Sequence, residues 1–108
     1  MTPEETAAGL ESCREQIDVL DRQIAALLNE RAKVVEVIGS LKQGAQLRVY
    51  EPKREEAVYR NVTESNSGPL KADALKRIYE RIMDEMRTLQ RDRMSATSRE
   101  AGTKDSSS

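Results

Sequence analysis

Arg31 is the residue whose type and place most need a chemical explanation. It falls in the run Leu10, Cys13, Ile17, Leu20, Ile24, Leu27, Arg31, Val34, Ile38, Leu41, where every other member is apolar and the steps alternate three and four. A cation in such a seam is costly unless an anion meets it. Lys42 follows on the same face, ~20° around the helix from Arg31 and ~16 Å further along it, so two long cationic side chains can converge on one anion. Arg14 borders the seam beside Cys13. In a second segment Arg54 and Glu55 precede Val58 by about one turn and share its side of the helix. In a third, Gln90 comes one turn after Met86 and next to Leu89. Each residue has a plainer reading when taken singly. Arg31 would be a buried salt bridge, Lys42 and Arg14 solvated surface cations, Arg54 and Glu55 a helical ion-pair face, and Gln90 a polar rim. Taken together they line the inner faces of three helices with cations and hydrogen-bonding groups, and such a lining suits a small di-anion.

The missing residue types narrow the chemistry further. With no His and a single Cys, Cys13, the chain has no intrachain disulfide, no Cys/His zinc site, no Ser-His-Asp triad and no Cys-His dyad. A glycine-rich phosphate loop is absent as well. What remains is Arg, Lys, Glu, Asp, Gln and the backbone, groups better suited to binding and electrostatic stabilisation than to nucleophilic attack. A net charge of −1 gives no basic field for nucleic acid. No signal-peptide pattern is present, and no apolar run nears the ~20 residues that span a bilayer, so a soluble cytoplasmic protein is expected.

The elements that must position these groups are legible as helices. Charged residues form 34% of the chain and aromatics 3%, a composition that favours amphipathic helices over a self-sufficient core. The first helix is expected from Gly9 to Gln43. An earlier start is also open, with Thr2 as cap, Pro3 in the first turn and Glu5 reaching back. Glu51-Pro52 opens a short second helix, Asn66-Ser67-Gly68-Pro69 is a turn, and a third helix starts between Lys71 and Asp73. The third helix's stripe is Leu75, Tyr79, Ile82, Met86 and Leu89, flanked by Ile78 and Met83. The expected limits are an N-terminal extension over 1–8, one domain over 9–94 and a disordered tail over 95–108. The first helix would be ~52 Å long at ~1.5 Å per residue, against a diameter of ~35 Å for a compact domain of this size. One chain cannot cover such a seam, so an intimate homodimer is expected.

Five stretches in order carry a family resemblance: Arg14-Glu15-Gln16-Ile17-Asp18-Val19-Leu20-Asp21; Leu27-Leu28-Asn29-Glu30-Arg31; Lys42; Val49-Tyr50-Glu51-Pro52-Lys53-Arg54-Glu55-Glu56; and Ile78-Tyr79 through Leu89-Gln90. Over residues 9–94 the sequence resembles the all-helical AroQ class (type II) of chorismate mutases. The resemblance implies an all-α fold of three helices per chain, with the long first helix paired in an interlocked helical homodimer. It also implies conversion of chorismate to prephenate, on the way to phenylalanine and tyrosine, with no cofactor and no metal. By the same resemblance Arg31 and the second copy's Arg14 hold the substrate's carboxylates. Lys42 and Gln90 donate to the ether oxygen, Glu55 engages the ring hydroxyl with Glu51 nearby, and Arg54 completes the lining. Met86 stands where the family often has a serine near a carboxylate, and Glu51 where some members have Asp.

Three other readings remain open. An isochorismate-pyruvate lyase shares the fold and the cationic site, although that group lacks an acidic residue at the position of Glu55. A non-catalytic helical dimerisation module accounts for the heptads but not for Arg31. Between these and an enzyme lies a regulatory domain that acts on an aromatic-pathway partner enzyme.

Overall fold

The computed structural model describes the backbone over residues 1–107 and the side chains over residues 1–96. It consists of α1 (Pro3–Gly44), α2 (Pro52–Glu64) and α3 (Ala72–Ser107), with no strand among the described residues. The all-α expectation therefore holds. None of these helices is long and apolar enough to cross a membrane.

Residues 1–33 form one compact unit, the N-terminal part of α1. The earlier of the two expected starts is the one taken. Thr2 Oγ1 accepts from the Glu5 N–H at 3.1 Å and the Thr2 carbonyl accepts from the Thr6 N–H at 3.0 Å, which satisfies donors that a helix start leaves open. Glu4 and Glu5 sit in the first turn, where the helix dipole favours them. Gly9 does not interrupt the helix. Along this unit Leu10, Ile17, Leu20, Ile24 and Leu27 are all exposed, Leu27 to 64%.

Residues 34–108 form the second unit: the last turns of α1, then α2 and α3. Its buried apolar residues are Val35 from α1, Val58 from α2, and Met83 and Met86 from α3. α1 comes close to α3 at Gly39, where a Cβ would lie 3.7 Å from Gln90 Cγ and 3.8 Å from its Cα, in ordinary contact. The inward stripe of α3 is rotated from the one read off the sequence. Met83, expected at the flank, is buried, whereas Ile78 is 47% exposed. Helical period places residues around an axis, but the packing of α2 against α3 sets which meridian faces in.

The ends of α1 and α2 shape the loop between them. α1 stops in a Schellman arrangement, with the Leu47 N–H donating to the Lys42 carbonyl at 2.7 Å and the Gln46 N–H to the Gln43 carbonyl at 3.1 Å. The left-handed residue is Gln46 (φ 57°) rather than a glycine, so the backbone carries a side-chain clash that Gly would relieve. α2 begins at Pro52 with Glu51 as its N-cap, yet the Glu51 side chain makes no cap hydrogen bond. The α2–α3 turn follows the expected Asn-Ser-Gly-Pro signal. Asn66 Oδ1 accepts from the Gly68 N–H at 3.1 Å, Asn66 Nδ2 donates to the Leu70 carbonyl at 2.7 Å, and Gly68 supplies φ 81°.

α3 runs past Ser95, where a tail was expected, as helix to Ser107. The stretch holds no proline and Gly102 as its one glycine, so no local residue forces the backbone to stop. The side chains of residues 97–108 lie outside the described residues, and most of the tail expectation falls on them.

Candidate active site

Lys42 anchors a polar cluster in the second unit. The last turn of α1 carries it, and it is only 7% exposed. Its Nζ donates to the Val49 carbonyl at 2.8 Å and to Gln90 Oε1 at 3.2 Å, and it pairs with Glu51 Oε1 at 2.8 Å. An ammonium has three hydrogens, and three acceptors meet it here. A buried lysine charge is tolerable only when it is satisfied in this way. The Lys42 backbone carbonyl is meanwhile held by the Schellman bond from Leu47. Both ends of this residue therefore pin the segment that leads into α2. The Glu51 carboxylate does not cap α2 because it faces the lysine instead of its own helix.

Gln90 reaches the cluster from α3, at 8% exposure rather than on a rim. Because Lys42 takes its Oε1, the amide is oriented with Nε2 as the group left to donate elsewhere. Lys42 and Gln90 thus form a buried donor pair, brought together by the close approach of helices at Gly39.

Glu55 lies one turn into α2, and its side chain is 14% exposed. It is ion-paired and hydrogen-bonded to Arg87 of α3, a residue the sequence reading did not single out. Arg87 also meets Asp84 Oδ1 at 3.4 Å, and its guanidinium lies 5.7 Å from the centre of the Tyr50 ring. Its pKa is raised, chiefly by the hydrogen bond to Glu55, so the guanidinium stays charged throughout the working range. The available signal for Arg87 was its spacing, one position after Met86 and one turn before Gln90. On α3, however, arginines are too frequent for spacing to select one. Tyr59 of α2 has its phenol pushed above the usual value, first by burial and then by Glu55 and Glu80, so it remains protonated. Lys76 covers its ring at 5.6 Å.

The remaining expected residues are placed as follows. Arg54 is exposed on α2, one position before Glu55. Met86 is buried among the apolar residues of this unit and presents no hydroxyl. Arg14 is exposed and Arg31 half-buried, both on α1 within residues 1–33. Within residues 34–96, then, Lys42, Glu51 and Gln90 meet in one cluster and Glu55 is held by Arg87.

Residues 13–91 match the family described as chorismate mutase type II. The chain is 42% identical over 79 residues to the bifunctional chorismate mutase/prephenate dehydratase of Neisseria gonorrhoeae, a match covering 72% of this chain and 21% of that protein. The protein of the same description from Aquifex aeolicus is 34% identical over 86 residues, covering 76% and 24% respectively. This chain therefore spans about a quarter or less of the length of these relatives. Among solved structures, chorismate mutase (form II) from Thermus thermophilus superposes with a TM-score of 0.75 at 30% identity, over 76% of this chain and 93% of that one. The chorismate mutase of Helicobacter pylori, solved in complex with prephenate, gives 0.77 at 26% identity, over 82% and 96%.

Proposed function

The chain belongs to the type II chorismate mutase family, and on that premise we propose that it converts chorismate to prephenate in the cytoplasm, as a homodimer without a cofactor. The observation that carries this reading is the buried Lys42–Gln90 pair, two adjacent donors standing at matching positions of the family motif.

The rearrangement is unimolecular: the ether C–O bond breaks as a C–C bond forms, and no acid, base or nucleophile takes part. Catalysis must come from folding the enolpyruvyl side chain over the ring and from stabilising charge that grows on the ether oxygen. Lys42 Nζ and Gln90 Nε2 are the donors for that oxygen. For Lys42 to serve, one of its three present acceptors must give way. The Glu51 carboxylate, half exposed, is the one most readily returned to water. Arg31 and the second copy's Arg14 hold the two carboxylates, a task for which the guanidinium fork is shaped. Arg54 adds positive lining, and Glu55 accepts from the ring hydroxyl. Met86 brings no hydrogen bond, so the carboxylate contact some relatives make with a serine is missing.

The second copy enters on two grounds. Leu10, Ile17, Leu20, Ile24 and Leu27 lie exposed on a single helix, the kind of apolar stripe that marks an interface. Arg14 and Arg31 of one chain are also ~25 Å apart along α1 and ~100° apart around it, beyond what one small substrate bridges.

Purified protein mixed with chorismate in the presence of a metal chelator should consume it, followed as loss of the substrate's ultraviolet absorbance with prephenate as product. Isochorismate should be turned over poorly, because Glu55 is present. No chorismate loss by a folded dimer would overturn the reading, and pyruvate release from isochorismate would replace it with the lyase.

A further inference from the structure

We propose that Arg87 is a positioning residue for the reaction: from α3 it holds the Glu55 carboxylate of α2 in one orientation, so that its second oxygen can meet the substrate. The inference rests on the mutase reading and deepens it, adding a residue to which the family resemblance assigns no role.

Three observations converge. Glu55 is nearly buried, at 14% side-chain exposure, and its carboxylate is met there by the Arg87 guanidinium. Arg87 Nη1 meets Glu55 Oε1 and leaves Oε2 without a bond to this cation. An isolated ion pair can rotate, but this guanidinium is fixed on two further sides. Asp84 accepts from Nη2 at 3.4 Å, and the Tyr50 ring lies 5.7 Å from its central carbon. Asp84 is on the same helix, Glu55 on α2, and Tyr50 on the segment that Lys42 pins through Val49. Arg87 therefore joins the orientation of Glu55 to the loop that carries Glu51. A planar fork held in this way fixes its partner better than a flexible ammonium would.

The same geometry makes Arg87 act through Glu55 and not on the substrate, and that sets the test. Arg87→Met, Arg87→Lys, Glu55→Gln and the double variant Glu55→Gln/Arg87→Met are assayed on chorismate, with helicity and melting followed in parallel. Arg87→Met should lower kcat/KM about ten-fold, the middle of the range for directly coupled neighbours. Arg87→Lys should recover much of that loss. In the Glu55→Gln background the same Arg87→Met change should cost less than about two-fold, because the group it positions is already gone. If Arg87→Met fails to fold, the cycle is run with Arg87→Gln and the same outcomes decide it. Equal losses in both backgrounds, or an Arg87→Met enzyme with wild-type kcat/KM, would overturn the positioning role while leaving the mutase reading intact. A folded wild-type dimer with no activity on chorismate refutes both.

Discussion

Replacing Lys42 with methionine tests the fold and the chemistry in one variant. Methionine nearly matches the apolar length of lysine, so the change removes donors with little change of packing. Three acceptors lose their hydrogen. Gln90 Oε1 is buried and the Val49 carbonyl part-buried, and leaving such groups unpaired costs ~1–3 kcal/mol each at most. The Glu51 oxygen is half exposed and regains water, so its pair with Lys42 contributes well under ~1 kcal/mol. Together the loss should be about 2–4 kcal/mol, a large share of the ~5–15 kcal/mol that holds a domain of this size. With a urea slope of ~1–3 kcal/mol per molar, the midpoint should fall by about 1–2 M at fixed protein concentration, read by circular dichroism. Turnover, measured where the variant remains fully helical, should fall ~10²–10³-fold, as for loss of an oxyanion donor. An unchanged midpoint would mean that Lys42 is not held between α1 and α3. A lowered midpoint with wild-type turnover would leave Lys42 a structural clamp and remove it from the chemistry.

Gln46→Gly should raise stability by ~0.5–1 kcal/mol, because Gly adopts the left-handed φ of 57° without strain; a loss in the urea midpoint would contradict the Schellman end of α1. Gly39→Ala should be tolerated, since its Cβ would stand 3.7 Å from Gln90 in ordinary contact, whereas Gly39→Leu should push Gln90 aside and cut turnover about ten-fold or more. Equal activity in the two Gly39 variants would show that α3 does not rely on this close approach. Arg14→Ala and Lys42→Ala proteins, each inactive alone, should regain about a quarter of wild-type activity when unfolded and refolded together, because half of randomly paired dimers are mixed and each holds one intact site. Mixed dimers that form without recovering activity would rule out a shared site.

Much of the architecture is written in local pattern. The helices follow from heptad spacing, from Pro3 and Pro52 in first turns, and from the Asn66–Pro69 turn, all short-range signals read within a few residues. Exposure of the α1 stripe was legible too, because helix length follows from residue count alone. The candidate site was legible only as a set of residue types. Lys42, Glu55 and Gln90 stood out by spacing and resemblance, but no single-helix pattern says whether a lysine at a helix end is solvated or buried.

That choice belongs to contacts between elements distant in sequence. Lys42 and Gln90 are 48 positions apart, and Glu55 and Arg87 are 32 apart. Their pairing depends on how far α1 approaches α3 at Gly39 and on how α3 is turned about its own axis. The same rotation buries Met83 and leaves Ile78 exposed. Periodicity determines the angular order of side chains on a helix, and so the sequence by itself determined three helices and their breaks. The rotation of each helix against its neighbour minimises unpaired polar groups and voids over all contacts at once, a sum over pairs that no local window contains. Tertiary structure therefore decided that Lys42 is a buried three-way donor, that Glu51 turns from its own helix to meet it, and that Arg87 holds Glu55.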